Sequence, residues 1–131
     1  VTGRRIFALG GNAEATRISG INTKGLLMLV YTLCAVLASF AGIITASKLG
    51  VGQPTAGTGF ETDAISAAVI GGASLSGGAG SVVGTVIGAA IIGVLRNALV
   101  LLKVDSYWQM LIMGLVIVGA VTLDQLRHAK K

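Results

Sequence analysis

The chain has 131 residues, of which 53% are hydrophobic and 11% charged. About a quarter of a typical soluble domain is charged, so this composition cannot clothe a soluble surface and points to an integral membrane protein. The net charge of +5 does not imply nucleic acid, because no basic patch is interleaved with aromatic residues. Instead the cations flank apolar spans, Arg4, Arg5, Arg17 and Lys24 before the first and Arg127, Lys130 and Lys131 after the last. That distribution predicts that both ends are cytoplasmic.

Residues 1–24 are polar and carry glycine at positions 3, 10, 11 and 20. Val1 stands where an initiating Met would, which suggests a fragment, and Val1–Arg5 leads into a polar stretch rather than the apolar core of a signal peptide. In Gly10–Lys24 (GGNAEATRISGINTK), Asn12 or Thr16 can cap a short helix with Glu14 in its first turn, and Gly20 can end it. That helix is too short and too polar to insert into a bilayer.

Residues 25–47 contain no charge and form the clearest predicted membrane span. Ala38, Gly42 and Ala46 recur at four-residue spacing, a stripe suited to close helix packing. Cys34 is the only cysteine and reads as a small apolar residue. Lys48–Gly59, with Pro54 and several glycines, reads as a loop. Residues 60–78 are apolar and small but open with Glu61 and Asp63 and run into glycines. Residues 81–102 form a second clear span, with Gly80, Gly84 and Gly88 as a second small-residue stripe. Residues 106–123 form the last, anchored by Tyr107 and Trp108, and 125–131 are a basic tail.

Crossing number follows from parity. With both basic ends in the cytoplasm the count must be even, so 60–78 is expected to cross as a short or broken helix covered by its neighbours. The alternative is a re-entrant hairpin with an exterior C-terminus. The expected fold is therefore all-α and integral to the membrane, with about four transmembrane helices in 25–124 after a cytoplasmic segment at 1–24.

Gly71–Gly80 (GGASLSGGAG) is glycine-rich, but a phosphate loop needs a Lys to meet the phosphates. No Lys occurs between Lys48 and Lys103, so this stretch reads as a turn between helices and any ATP is handled by another chain. Glu61 and Asp63 read as first-turn acids that complement a helix dipole. Arg96 is the unusual charge. Inside an apolar span it either snorkels to the interface or lines a polar path beside Asn97. His128 is the only histidine, so no metal site, cofactor site or catalytic constellation is expected, and the chain does not read as an enzyme.

The ordered pieces GNAEATRISGI (residues 11–21), AGIITASKL (41–49) and QPTAGTGFETDAISAAVIGGASLSGGAGSVVGTVIGA (53–89), followed by Asn97 and the last apolar span, resemble the C-terminal part of the permease subunit of ribose-type ABC importers. The resemblance implies a bacterial inner-membrane protein that pairs with a second permease subunit, identical or not. It implies a sugar received from an extracytoplasmic binding protein and a cytoplasmic ATP-binding subunit that drives transport. Importer permeases carry a cytoplasmic loop with EAA and a glycine four residues later. Here Glu14-Ala15-Thr16 and Gly20 fit that pattern, with Thr16 in place of the second Ala, so Asn12, Glu14, Ala15, Thr16, Arg17 and Gly20 are the expected ATPase-coupling segment. Arg96 departs from the uncharged residue expected before Asn97. Two rivals stand beside this reading, a pore of glycine-striped helices and a membrane scaffold, neither coupled to an ATPase.

Overall fold

The computed structural model describes residues 1–129, without the side chains of Arg127 and His128. Lys130 and Lys131, part of the expected basic tail, lie outside the described residues. The described chain is helical throughout, with no strand, and divides at Phe60 into two units.

The first unit holds α1 (Thr2–Gly11), α2 (Ala13–Ile18) and α3 (Thr23–Leu49). α1 adds a helix to the polar segment 1–24: residues 4–9 (RRIFAL) are sound helix formers and the paired glycines fall at the helix end. α1, α2 and the start of α3 touch one another, burying Thr16 and Leu26. α3 starts under a cap, Asn22 accepting from the Gly25 amide at 3.0 Å. It stops at Gly50, whose φ of +68° is left-handed backbone open to glycine at little cost. At 27 residues it is about 40 Å long, more than a hydrocarbon core requires.

The second unit holds α4 (Phe60–Ile70), α5 (Val82–Leu101) and α6 (Ser106–Ala129). α3, α5 and residues 106–126 of α6 are long and apolar enough to cross a membrane. α4 is not. Its 11 residues rise about 16 Å, so within 60–78 the helix is short and breaks after Ile70. It ends at Ile70 because Gly71 and Gly72 follow, Gly72 at φ +88°, where a helix cannot continue. The remainder to Ser81 is turn, and Ser81 then caps α5 through the Gly84 amide at 3.3 Å.

α4 and α5 are antiparallel. Gly71 lies against Gly84, Ala67 against Gly88, and Asp63 against Arg96. A Cβ added to Gly84 would collide with the Gly71 carbonyl oxygen, and one added to Gly88 with the Ala67 carbonyl oxygen. Gly84 and Gly88 pack helix on helix, but Gly80 precedes α5 and belongs to the turn. Ala67, Ile92 and Met113 form the buried core of this unit, one residue from each helix, with Ile70 and Leu95 against them. Most other large apolar side chains are exposed, among them Leu37, Phe40, Ile43, Val94 and Leu115, which suits contact with lipid or further helices.

Gly88→Val should lower the thermal midpoint of the intact protein in detergent, since overpacking costs about 1–3 kcal/mol. Gly114→Ala, where nothing lies within 4 Å of the added carbon, should leave it unchanged or higher. Equal midpoints for Gly88→Val and the parent would refute the close α4–α5 contact.

Candidate functional site

Asn12 is the joint of the N-terminal unit. Its own amide donates to the Ala8 carbonyl at 3.0 Å, closing α1. Its side-chain oxygen accepts from the amides of Glu14 at 3.1 Å and Ala15 at 3.0 Å, opening α2. Of the two caps the sequence allowed, Asn12 is the one used. Thr16 instead turns inward, only 4% exposed, with its hydroxyl donating to the Asn12 carbonyl at 2.8 Å. Thr in place of the second Ala is therefore accommodated, since its one polar atom is satisfied within the turn.

The other end of α2 is equally determined. The Gly20 amide donates to the Arg17 carbonyl at 3.1 Å and the Ile21 amide to the Thr16 carbonyl at 3.4 Å, the bond pair of a Schellman stop, with Gly20 at φ +78°. Glu14 lies in the first turn and Arg17 in the last, both favourable to the helix dipole. Between the two caps, Glu14, Ala15, Arg17 and Ile18 face outward, and Ile18 is 82% exposed. The result is a rigid polar knob with one apolar tip.

The second feature is an ion pair. Arg96 Nη1 meets Asp63 Oδ2 at 2.6 Å, with the two side chains 42% and 22% exposed. The pair borders a cleft of about 330 Å³ lined by Asp63, Ala64 and Ala67 of α4 and Ala89, Ile92, Gly93 and Arg96 of α5. The sequence pairs Arg96 with its neighbour Asn97, but the structure does not bring these two to one place. Asn97 is exposed on another side of α5 and does not line the cleft. The signal for Asp63 was present. A cation inside an apolar span must find an anion, and only five acidic residues exist, two of them opening the adjacent helix.

Ala38, Gly42 and Ala46 are exposed, and no atom lies within 4 Å of a Cβ placed on Gly42. Among the described residues no cluster of His, Cys, Asp and Glu could hold a metal.

Residues 1–121 match the family model described as branched-chain amino acid transport system / permease component. The chain belongs to this permease family. It is 57% identical over 122 residues to the ribose import permease of Escherichia coli (strain K12), covering 93% of this chain and 38% of that protein. It is 50% identical over 127 residues to the ribose import permease of Bacillus subtilis, covering 97% and 39%. The xylose transport permease of Escherichia coli (strain K12) is 46% identical over 122 residues, covering 93% and 31%. The chain thus spans less than half the length of these relatives. No solved structure matches. The resemblance to ribose-type permeases read from residues 11–89 is borne out. Family membership and three long apolar helices make this a multi-pass membrane protein, and its relatives are transporter subunits rather than enzymes.

Asn12→Ala removes the acceptor for two amides and should destabilise α2 by about 1 kcal/mol. Hydrogen exchange at residues 13–18 should quicken about fivefold, while Asn12→Asp retains protection. Unchanged exchange in Asn12→Ala would contradict the capping role.

Proposed function

We propose that the chain is part of the membrane-spanning subunit of a bacterial ABC importer that moves a carbohydrate, a ribose-like pentose or a hexose, across the inner membrane. The observation that carries this reading is the similarity to ribose, xylose and allose permeases over 93–95% of the chain. The family description mentions branched-chain amino acids, but these relatives transport sugars by name.

In this reading α2 is the coupling helix. Its cap at Asn12, its stop at Gly20 and the outward display of Glu14, Arg17 and Ile18 suit a surface pressed by a soluble partner. The partner is a cytoplasmic ATP-binding subunit, since this chain has no phosphate-binding Lys in its glycine-rich turn. A second permease subunit gives the open stripe of Ala38, Gly42 and Ala46 a neighbour to pack on. An extracytoplasmic binding protein delivers the sugar.

Orientation follows from the cations. Arg4, Arg5, Arg17 and Lys24 precede α3, which supports α1 and α2 on the cytoplasmic side and the end of α3 outside. The antiparallel course of α4 and α5 supports α4 with its glycine turn as a crossing rather than a re-entrant hairpin. α5 starts beside the end of α4, at Gly71, and not beside its start. Four crossings then return the end of α6 to the cytoplasm. Arg96 and Asn97 lie toward the outer end of α5, Arg96 beside the cleft and Asn97 on another side of the helix. Transport is alternating access, in which ATP-driven movement of α2 biases a two-state membrane domain.

In proteoliposomes carrying the whole permease, its ATP-binding subunit and its binding protein, Glu14→Arg combined with Gly20→Val should cut sugar uptake about tenfold or more, within the 1–3 kcal/mol typical of coupling between sites. ATP hydrolysis by the partner should persist uncoupled. Undiminished uptake would overturn the coupling role. Uptake without any ATP-binding subunit would favour a pore.

A further inference from the structure

We infer that the cleft between α4 and α5, headed by Asp63 and Arg96, is a polyol-binding station on the transport path, a reading that rests on the carbohydrate importer proposed above. Charged groups within membrane helices are costly and mark functional sites.

The cleft's shape follows from the sequence. Asp63, Ala64 and Ala67 lie three and four residues apart on one face of α4, and Ala89, Ile92, Gly93 and Arg96 share one face of α5. All but Ile92 and the charged pair are Ala or Gly. Gly93 differs from Gly84 and Gly88, because nothing lies within 4 Å of a Cβ placed there. Among the described residues, helix packing therefore does not require glycine at 93, and the missing side chain leaves the cleft wider. A volume of about 330 Å³ falls at the small end of ligand sites, a size for one monosaccharide.

The chemistry selects the ligand class. The contact uses one guanidinium nitrogen and one carboxylate oxygen, leaving Arg96 with further N–H donors and Asp63 with a second acceptor oxygen. A sugar's adjacent hydroxyls offer donors and acceptors together, so one hydroxyl donates to Asp63 while the next accepts from Arg96 without separating the pair. A zwitterionic amino acid would have to pull the two charges apart to meet its own. The ion pair is net neutral, so it does not retain a neutral sugar by charge, as a station on a path requires.

The test uses the whole permease with its ATP-binding subunit and binding protein, and D-ribose, D-xylose or D-allose, whichever the parent complex imports. Gly93→Leu fills the cleft without entering the α4–α5 contact. It should raise the KM for uptake about tenfold, the loss of roughly one hydrogen bond to a charged group, while the complex still assembles and hydrolyses ATP. In a Cys34→Ala background, the imported sugar should slow maleimide labelling of Gly93→Cys severalfold, and leucine should not. Unchanged KM together with unprotected labelling, in a complex that imports the sugar, would overturn the station alone. Protection by leucine and not by sugar would overturn the polyol assignment. A parent complex that imports none of the three sugars would remove the carbohydrate reading and this inference with it.

Discussion

The backbone contact between α4 and α5 determines the rest of the second unit. Within lipid there is little hydrophobic gain from pressing apolar helices together, so association depends on close van der Waals approach and polar contacts. Gly84 against the Gly71 carbonyl and Gly88 against the Ala67 carbonyl provide that approach. No side chain could occupy either contact. Once those two are fixed, the antiparallel register is fixed, Asp63 arrives beside Arg96, and the small residues at 64, 67, 89 and 93 leave a cleft rather than a filled seam. A charge that would be costly alone in an apolar span becomes tolerable because its partner is delivered by the same register.

The first unit works on a different constraint. α2 has only six residues, far below the length at which a helix persists alone in water. It is held by its ends. Asn12 closes one helix and opens the next, Gly20 stops α2 in left-handed backbone, and Thr16 anchors the inner face. A segment held in this way can transmit a push as a unit, which a loop cannot. In the proposed importer, α2 receives force and the α4–α5 cleft receives sugar.

Much of this was legible in the sequence. The spans α3, α5 and α6 follow from long uncharged stretches, and the stop at Gly20 follows from local chemistry that does not depend on the rest of the fold. α1 does not stand out in the sequence, because its helix formers at 4–9 are bracketed by glycines at 3, 10 and 11 in a polar segment. The point at which the short helix within 60–78 breaks is not legible, because small apolar residues continue past Ile70, and only the left-handed backbone at Gly72 reveals it. Gly80 fits the spacing of Gly84 and Gly88 but falls outside the helix, so periodicity alone overcounted the stripe. Asp63 and Arg96 are separated by a helix, a turn and most of a second helix, and their meeting depends on register, which local patterns do not encode.

The central claim is that α2 is the surface on which an ATP-binding subunit acts. The most direct measurement places a photo-crosslinking amino acid at Ile18, the exposed apolar tip of α2, in the whole permease assembled with its ATP-binding subunit and binding protein. The account predicts a cross-link to the ATP-binding subunit whose yield changes between nucleotide-free and ATP-bound states. A cross-link to the binding protein instead, or none to the ATP-binding subunit in either state, would contradict it.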